Sequence, residues 1–308
     1  MRNIRTDLAS ELNEDAGALA GVRMQSEEIG GVSCTKVYID SEEGAQKLGK
    51  PVGKYFTLEV GDVSLKNSVD LTAAAHSVAN VMQEFVGAEG EKTALVVGLG
   101  NRKITPDSLG PRVLNNLQVT RHLTGEYGED FLKKRDLPAI SGIIPGVMAQ
   151  TGMETAEILK GIIHQTRPQL LIVIDALAAR SVRRLGTTIQ LTDTGIHPGS
   201  GVGNHRHSLT RESLGVPVLA IGVPTVVGAA AIVHDTVSAL IRVLADNDKT
   251  KGTGSWIEDM DSDQQYQLIR ELLEPEFGPL YVTPPDIDQS VKQLSFTISE
   301  GIHQAVFP

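Results

Sequence analysis

Cysteine is almost absent: Cys34 stands alone in 308 residues. A single thiol excludes an intrachain disulfide and a thiolate-rich metal centre, and it suits a reducing compartment. Within VSCTKVYI the expected state is a buried, inert thiol, because free cysteine packs as a small hydrophobe. Aromatic residues are scarce at 4%, so aliphatic side chains and alanine must supply the core. A basic excess is missing too, with 28 Lys and Arg against 38 Asp and Glu, a net charge of −10. That balance favours solubility and argues against nonspecific nucleic-acid binding. The amino terminus, MRNIRTDLASELNEDAG, lacks the apolar core of a secretory signal. The most apolar stretch, Val216 to Val233, is interrupted by Pro217, Gly222, Pro224 and Gly228. It reads as strand, turn and the start of a buried helix rather than as a membrane span. A soluble cytoplasmic protein is expected.

Several chemical signatures are also missing. Gly98-Leu99-Gly100 follows an apolar run, but Lys103 stands where a dinucleotide fingerprint needs its third glycine. The loop GSGVGNHR lacks the Lys-Ser/Thr ending of a P-loop. Ser200 has Pro198 where a nucleophile elbow needs glycine. No HExxH pair exists, and His197, His205 and His207 share one loop where they serve equally as solvated side chains or as metal ligands. No cofactor is implied.

What is present is alternation of strands and helices. Strands are expected at Val32–Ile39, Tyr55–Val60, Ala94–Val97, Leu170–Ile174, Thr187–Leu191 and Val216–Ile221. Helices are expected at 70–85, 108–118, 153–164, 225–244, 262–273 and 285–305, with residues 121–140 as a surface excursion and 1–17 as a mobile arm. This order predicts an α/β fold with a mainly parallel central sheet flanked by helices, and with the strands of 32–60 added as antiparallel edge strands or a small lobe. Two acidic residues sit where such strands end: Asp107, beyond TALVVG, and Asp175, directly after LLIVI. Ligand and catalytic groups collect at the carboxyl ends of parallel strands. Each is equally a good helix cap. If they converge, one ionised carboxylate can deprotonate water while the other, kept neutral, protonates a leaving amine. The glycine-dense loop Asp193–Asn204 either turns tightly or lays backbone N–H groups against a substrate carbonyl.

Longer motifs then resemble a known family. VVGLGNRKITPDSLGP (96–111), PGVMAQTGMET (145–155), LIVIDALAARS (171–181), QLTDTGIHPGSGVGN (190–204) and IGVPTVV (221–227) resemble the germination protease of spore-forming bacteria. VTPPDID (282–288) is a looser match. The resemblance covers nearly the whole chain. It implies a fold similar to hydrogenase-maturation proteases and an endopeptidase that degrades small acid-soluble spore proteins in the spore cytoplasm. The family's proposed catalytic aspartates fall on Asp107 and Asp175. Gly195, His197, Gly199, Ser200, Gly201 and Gly203 would form the substrate and oxyanion loop. Asp193-Thr194-Gly195 has the letters of pepsin-like proteases in another setting, and Asp193 is expected to shape the loop. The resemblance also implies a homotetramer and a zymogen that removes its own arm. Thr6-Asp7-Leu8-Ala9-Ser10-Glu11 looks like the family's substrates, so cleavage is expected between Asp7 and Leu8, leaving residues 8–308 as one protease domain. Against the family's pattern, the propeptide is short, His205 and His207 replace an expected lysine-rich segment, and Gly228 replaces an acidic residue. A metal-dependent peptidase and a non-catalytic binder of the same spore proteins are the competing readings.

Overall fold

The computed structural model describes residues 19–62, 70–86, 93–128, 130–199, 206–245, 260 and 262–307. The expected processing pair Asp7 and Leu8, and the loop residues Ser200, Gly201 and Gly203, lie outside the described residues. Among those described, nine strands form one sheet: β1 Val22–Ile29, β2 Val32–Ile39, β3 Gly53–Glu59, β4 Thr93–Gly98, β5 Ala139–Ile143, β6 Leu170–Ala179, β7 Thr188–Thr192, β8 Val218–Gly228 and β9 Tyr281–Val282. Their order is β1-β2-β3-β7-β8-β6-β4-β5, and β9 pairs with the end of β8. The four strands β8, β6, β4 and β5 run parallel and carry the alternation of strand and helix. The remaining pairings are antiparallel, so the sheet is mixed, with β1–β3 extending it as edge strands through β7.

The longer helices are α1 Glu42–Leu48, α2 Leu71–Val86, α3 Leu109–Asn116, α4 Thr155–Thr166, α5 Ala229–Ala245, α6 Ser262–Phe277 and α7 Ile287–Val306. Pro111 is accommodated because it lies in the first turn of α3, where its missing N–H is not needed. Helix α4 opens on a reciprocal capping box between Glu154 and Glu157.

Side-chain alternation along the strands assigns the two sheet faces. On one face Phe56 and Leu58 of β3, Ala94 and Val96 of β4, Ile172 and Ile174 of β6, Ile189 and Leu191 of β7, and Ile221 and Val223 of β8 pack into a single core with α2, α3 and α7. On the other face Leu95 and Val97 of β4 and Leu171 and Val173 of β6 pack against Ala156, Leu159 and Ile163 of α4. Further along this second face the apolar character stops. The residues that follow in the same phase are Asp175, Ala220, Gly222, Gln190, Thr192 and Tyr55, and they line a cleft.

Two strands outrun their expected ends. β6 continues five residues past Ile174, so Asp175 lies within a strand and not at its exit. β8 spans eleven residues, taking in Gly222 and Pro224 where a turn was expected. Pro224 is tolerated because the β6–β8 register shifts between Leu177 and Ala178, leaving Thr225 as the extra residue of a bulge. The freed carbonyls are satisfied: Pro224 O accepts from Gly186 N at 2.8 Å and Thr225 O accepts from the Thr283 hydroxyl at 2.8 Å. The exposed strand β1 and the short β5 went unread in the sequence. β1 joins β2 through Gly30-Gly31, both at positive φ (60° and 83°), which is the backbone a tight two-residue hairpin demands.

Candidate active site

The cleft has a volume of about 440 Å³ and is lined by both aspartates. Its floor is the second face of the sheet. Strand registers align Asp175, Gly222, Gln190 and Thr57 in one row across β6, β8, β7 and β3. Asp175 is 6% exposed and its Oδ1 accepts from the N–H of Ala176 at 2.9 Å. Beside it Gly222 keeps the floor low, since a Cβ there would meet Leu177 Cδ1 at 2.4 Å.

Asp107 arrives from the loop after β4. Leu99 N donates to Ile174 O at 2.9 Å, extending the β4–β6 ladder to the residue before Asp175. The chain then turns at Gly100, whose φ of 106° and closeness to Asp107 O exclude a side chain. Asn101 N donates both to Asp107 O (2.9 Å) and to Asp107 Oδ2 (2.9 Å). The Asp107 carboxylate therefore ties its own loop, while Ser108 occupies the cap position of α3. Burial pushes the Asp107 pKa above the ordinary carboxylate value, opposed by the Asn101 N–H and by the positive charge of Arg206. Burial thus holds this cleft carboxyl toward its neutral, proton-bearing form.

The glycine loop forms another wall. Gly195, His197 and Gly199 line the cleft together with the aspartates. The root of the loop is pinned by a backbone pair, Ile196 N to Leu209 O (3.1 Å) and Leu209 N to Ile196 O (2.8 Å). Gly195 sits at φ 80°, and a Cβ there would lie 2.2 Å from Leu209 O, so no other residue fits this root. Asp193 points away from the chemistry: its Oδ1 accepts from Lys54 N at 2.9 Å and locks β3 to the end of β7. His207 stands 3.8 Å from Glu154 and is largely exposed. Among the described residues no three His, Cys, Asp or Glu side chains gather into a metal-binding group.

Several cleft residues went unmarked in the sequence. Gln190 and Thr192 are polar residues alternating with Ile189 and Leu191 in TIQLT, a period-two signal that was there to be read. The Tyr55 hydroxyl donates to Pro51 O at 2.9 Å, and burial pushes its pKa up to about 12, so it stays a neutral donor. Arg206, on the carboxyl side of the glycine loop, also lines the cleft. Nothing in GVGNHRHS marks the one arginine as facing inward.

Two carboxylates, one from a loop and one from a strand, face one cleft beside a pinned glycine loop, and such groups are ones that hydrolysis can use. Comparison with known proteins gives the class its family. The model of the germination protease family matches residues 1–256, and the chain belongs to that family. It is 44% identical over 313 aligned positions to the germination protease of Caldanaerobacter subterraneus subsp. tengcongensis, covering 99% of this chain and 94% of that one. It is 39% identical to the germination protease of Clostridium tetani, covering 99% and 96%. Among solved structures, a [NiFe] hydrogenase maturation protease of Thermococcus kodakarensis aligns over 47% of this chain and 80% of its own, at 20% identity and a TM-score of 0.29. The chain is thus a protease of spore germination. Among the described residues no helix is long and apolar enough to cross a membrane.

Proposed function

We propose that this protease opens the degradation of small acid-soluble spore proteins in the spore cytoplasm, with Asp107 and Asp175 as its catalytic pair. The observation that carries the reading is that these two carboxylates, 68 positions apart, face one cleft. Asp107, whose burial favours the neutral acid, is suited to protonate the leaving amine. Asp175 is then the base: it takes a proton from water as the water oxygen attacks the scissile carbonyl carbon. The oxyanion formed is met by N–H groups of the loop that begins at Gly195, the donor role worth most in acyl transfer. Proton donation from Asp107 then lets the C–N bond break, releasing an amine and an acid.

The same reading includes a zymogen. Residues 1–7 would be removed by cleavage between Asp7 and Leu8, the segment resembling the substrate, leaving 8–308 as the protease unit. It also includes a homotetramer. Leu240 and Val243 of α5 and Leu272 and Phe277 of α6 are exposed apolar side chains on two helices that pack on each other, and they offer a face for copies of the chain.

The test is cleavage of a purified small acid-soluble spore protein by the purified chain, with and without a chelator, followed by sequencing of both product termini. Cutting that chelator leaves unchanged, with an enzyme amino terminus at Leu8, is expected. Activity lost to chelator and restored by metal would recast the aspartates as ligands. A fully active enzyme still beginning at Met1 would end the zymogen reading.

A further inference from the structure

Two cations, Arg206 and Lys50, line the cleft beside the aspartates. Lys50 already has a polar or electrostatic contact of its own within the chain. Arg206 makes no hydrogen bond or ion pair among the described residues; its one recorded influence is the charge it exerts on Asp107. It is half-buried and lies three residues before Leu209, whose backbone pair with Ile196 anchors the segment. A guanidinium presents a rigid fork of donors that matches a carboxylate edge to edge, and it discriminates an acid from its amide. The same cleft is also lined by the apolar side chains of Ile104, Pro106 and Val147. Ile104 is 52% exposed within an otherwise polar loop, which leaves an aliphatic surface without a partner at the cleft mouth.

We propose that Arg206 is the specificity residue of this site: its guanidinium pairs with the carboxylate of an acidic substrate side chain flanking the scissile bond, while a neighbouring aliphatic side chain lies on Ile104 and Val147. This rests on the protease reading of the cleft and deepens it by naming what selects the substrate. Among the described residues no carboxylate completes the Arg206 fork, so an incoming one meets donors already in place.

The test uses two peptides that differ only in Glu or Gln before the scissile bond, cut by the wild-type chain and by Arg206→Ala, Arg206→Lys and Arg206→Glu. Wild type should favour the Glu peptide. Arg206→Ala should lower kcat/KM for it by roughly 10- to 100-fold, the range of a hydrogen bond to a charged group, and bring the Glu-to-Gln ratio toward one. Arg206→Lys should keep part of the preference, which also shows that the segment still folds. Arg206→Glu should reverse it, bringing the Glu-to-Gln ratio below one. An unchanged ratio in Arg206→Ala would overturn the proposal. So would equal losses on both peptides with a displaced pH profile, since Arg206 would then act only on Asp107. If wild type cuts neither peptide, the protease reading itself falls; if it cuts both equally, only the selectivity assigned to Arg206 does.

Discussion

Asp107 is held under opposing demands. Burial favours its neutral form, while Asn101 and Arg206 favour the anion, and burial prevails. The sign for stability follows. A carboxyl whose folded pKa is raised costs the fold nothing below its unfolded pKa, and it destabilises progressively as pH rises through the folded one. Asp107→Asn should therefore melt higher than wild type at pH 7. The gap should close as the pH falls below about 4, the ordinary Asp range, in thermal scans across pH. The same variant, and Asp175→Asn, should lose roughly 10²–10⁴-fold in kcat, the usual worth of a positioned acid or base. An Asp175→Asn enzyme of wild-type rate would remove that residue from the chemistry. Both aspartates stood out in the sequence because each comes after an apolar strand run, yet whether they cap helices was not legible there. Neither does: Asp107 Oδ2 accepts from Asn101 upstream while Ser108 takes the cap position, and Asp175 lies mid-strand and lines the cleft. Arg206 was illegible because its inward placement depends on the Ile196–Leu209 pairing, a contact made across the loop.

Among the elements, α3 is the one that brings the site together. Gly110 lets its backbone approach so closely that a Cβ would lie 2.5 Å from Leu99 O and 2.7 Å from Ile174 O, and at Gly98 one would lie 2.4 Å from Gly110 O. Gly98, the first glycine of the incomplete dinucleotide pattern, thus serves helix-to-strand contact together with Gly110. Gly110→Ala should cost about 1–3 kcal/mol in urea unfolding, the typical penalty for overpacking. Gly161→Ala, on the exposed side of α4 with nothing within 4 Å of the added carbon, should gain up to about 1 kcal/mol. The contrast separates contact from propensity in one experiment. Element types were readable wherever hydrophobic period and length agreed, as in β2, α2 and α7. They failed where local letters point one way and pairing the other. The strand was expected to end at Ile174, but the parallel partner β8 holds Asp175 to Ala179 extended as well. Pro224 read as a stop, but the bulge beside it absorbs the missing donor.

At the scale of the molecule, helices cover the parallel strands on both faces while the cleft occupies the stretch of the second face where apolar side chains run out. The antiparallel extension β1–β3 supplies Tyr55 to that cleft, so the added strands contribute to the site as well as to the fold. If α5 and α6 join copies, Leu240→Glu with Val243→Glu should shift sedimentation velocity from a four-copy mass to a smaller one, leaving the circular dichroism of the fold unchanged. An unaltered mass would move the interface elsewhere.

The outermost strand β1 bears on how the molecule behaves when crowded. Six of its eight residues are exposed, and Arg23, Glu27 and Glu28 stand along it. A neighbouring molecule that tried to add its own strand there would have to strip water from a row of charges, a device that keeps open sheets from joining edge to edge. The five-residue β5 gives little length for such pairing at the opposite margin. At high concentration the sheet is thus guarded at its margins against runaway fibre growth.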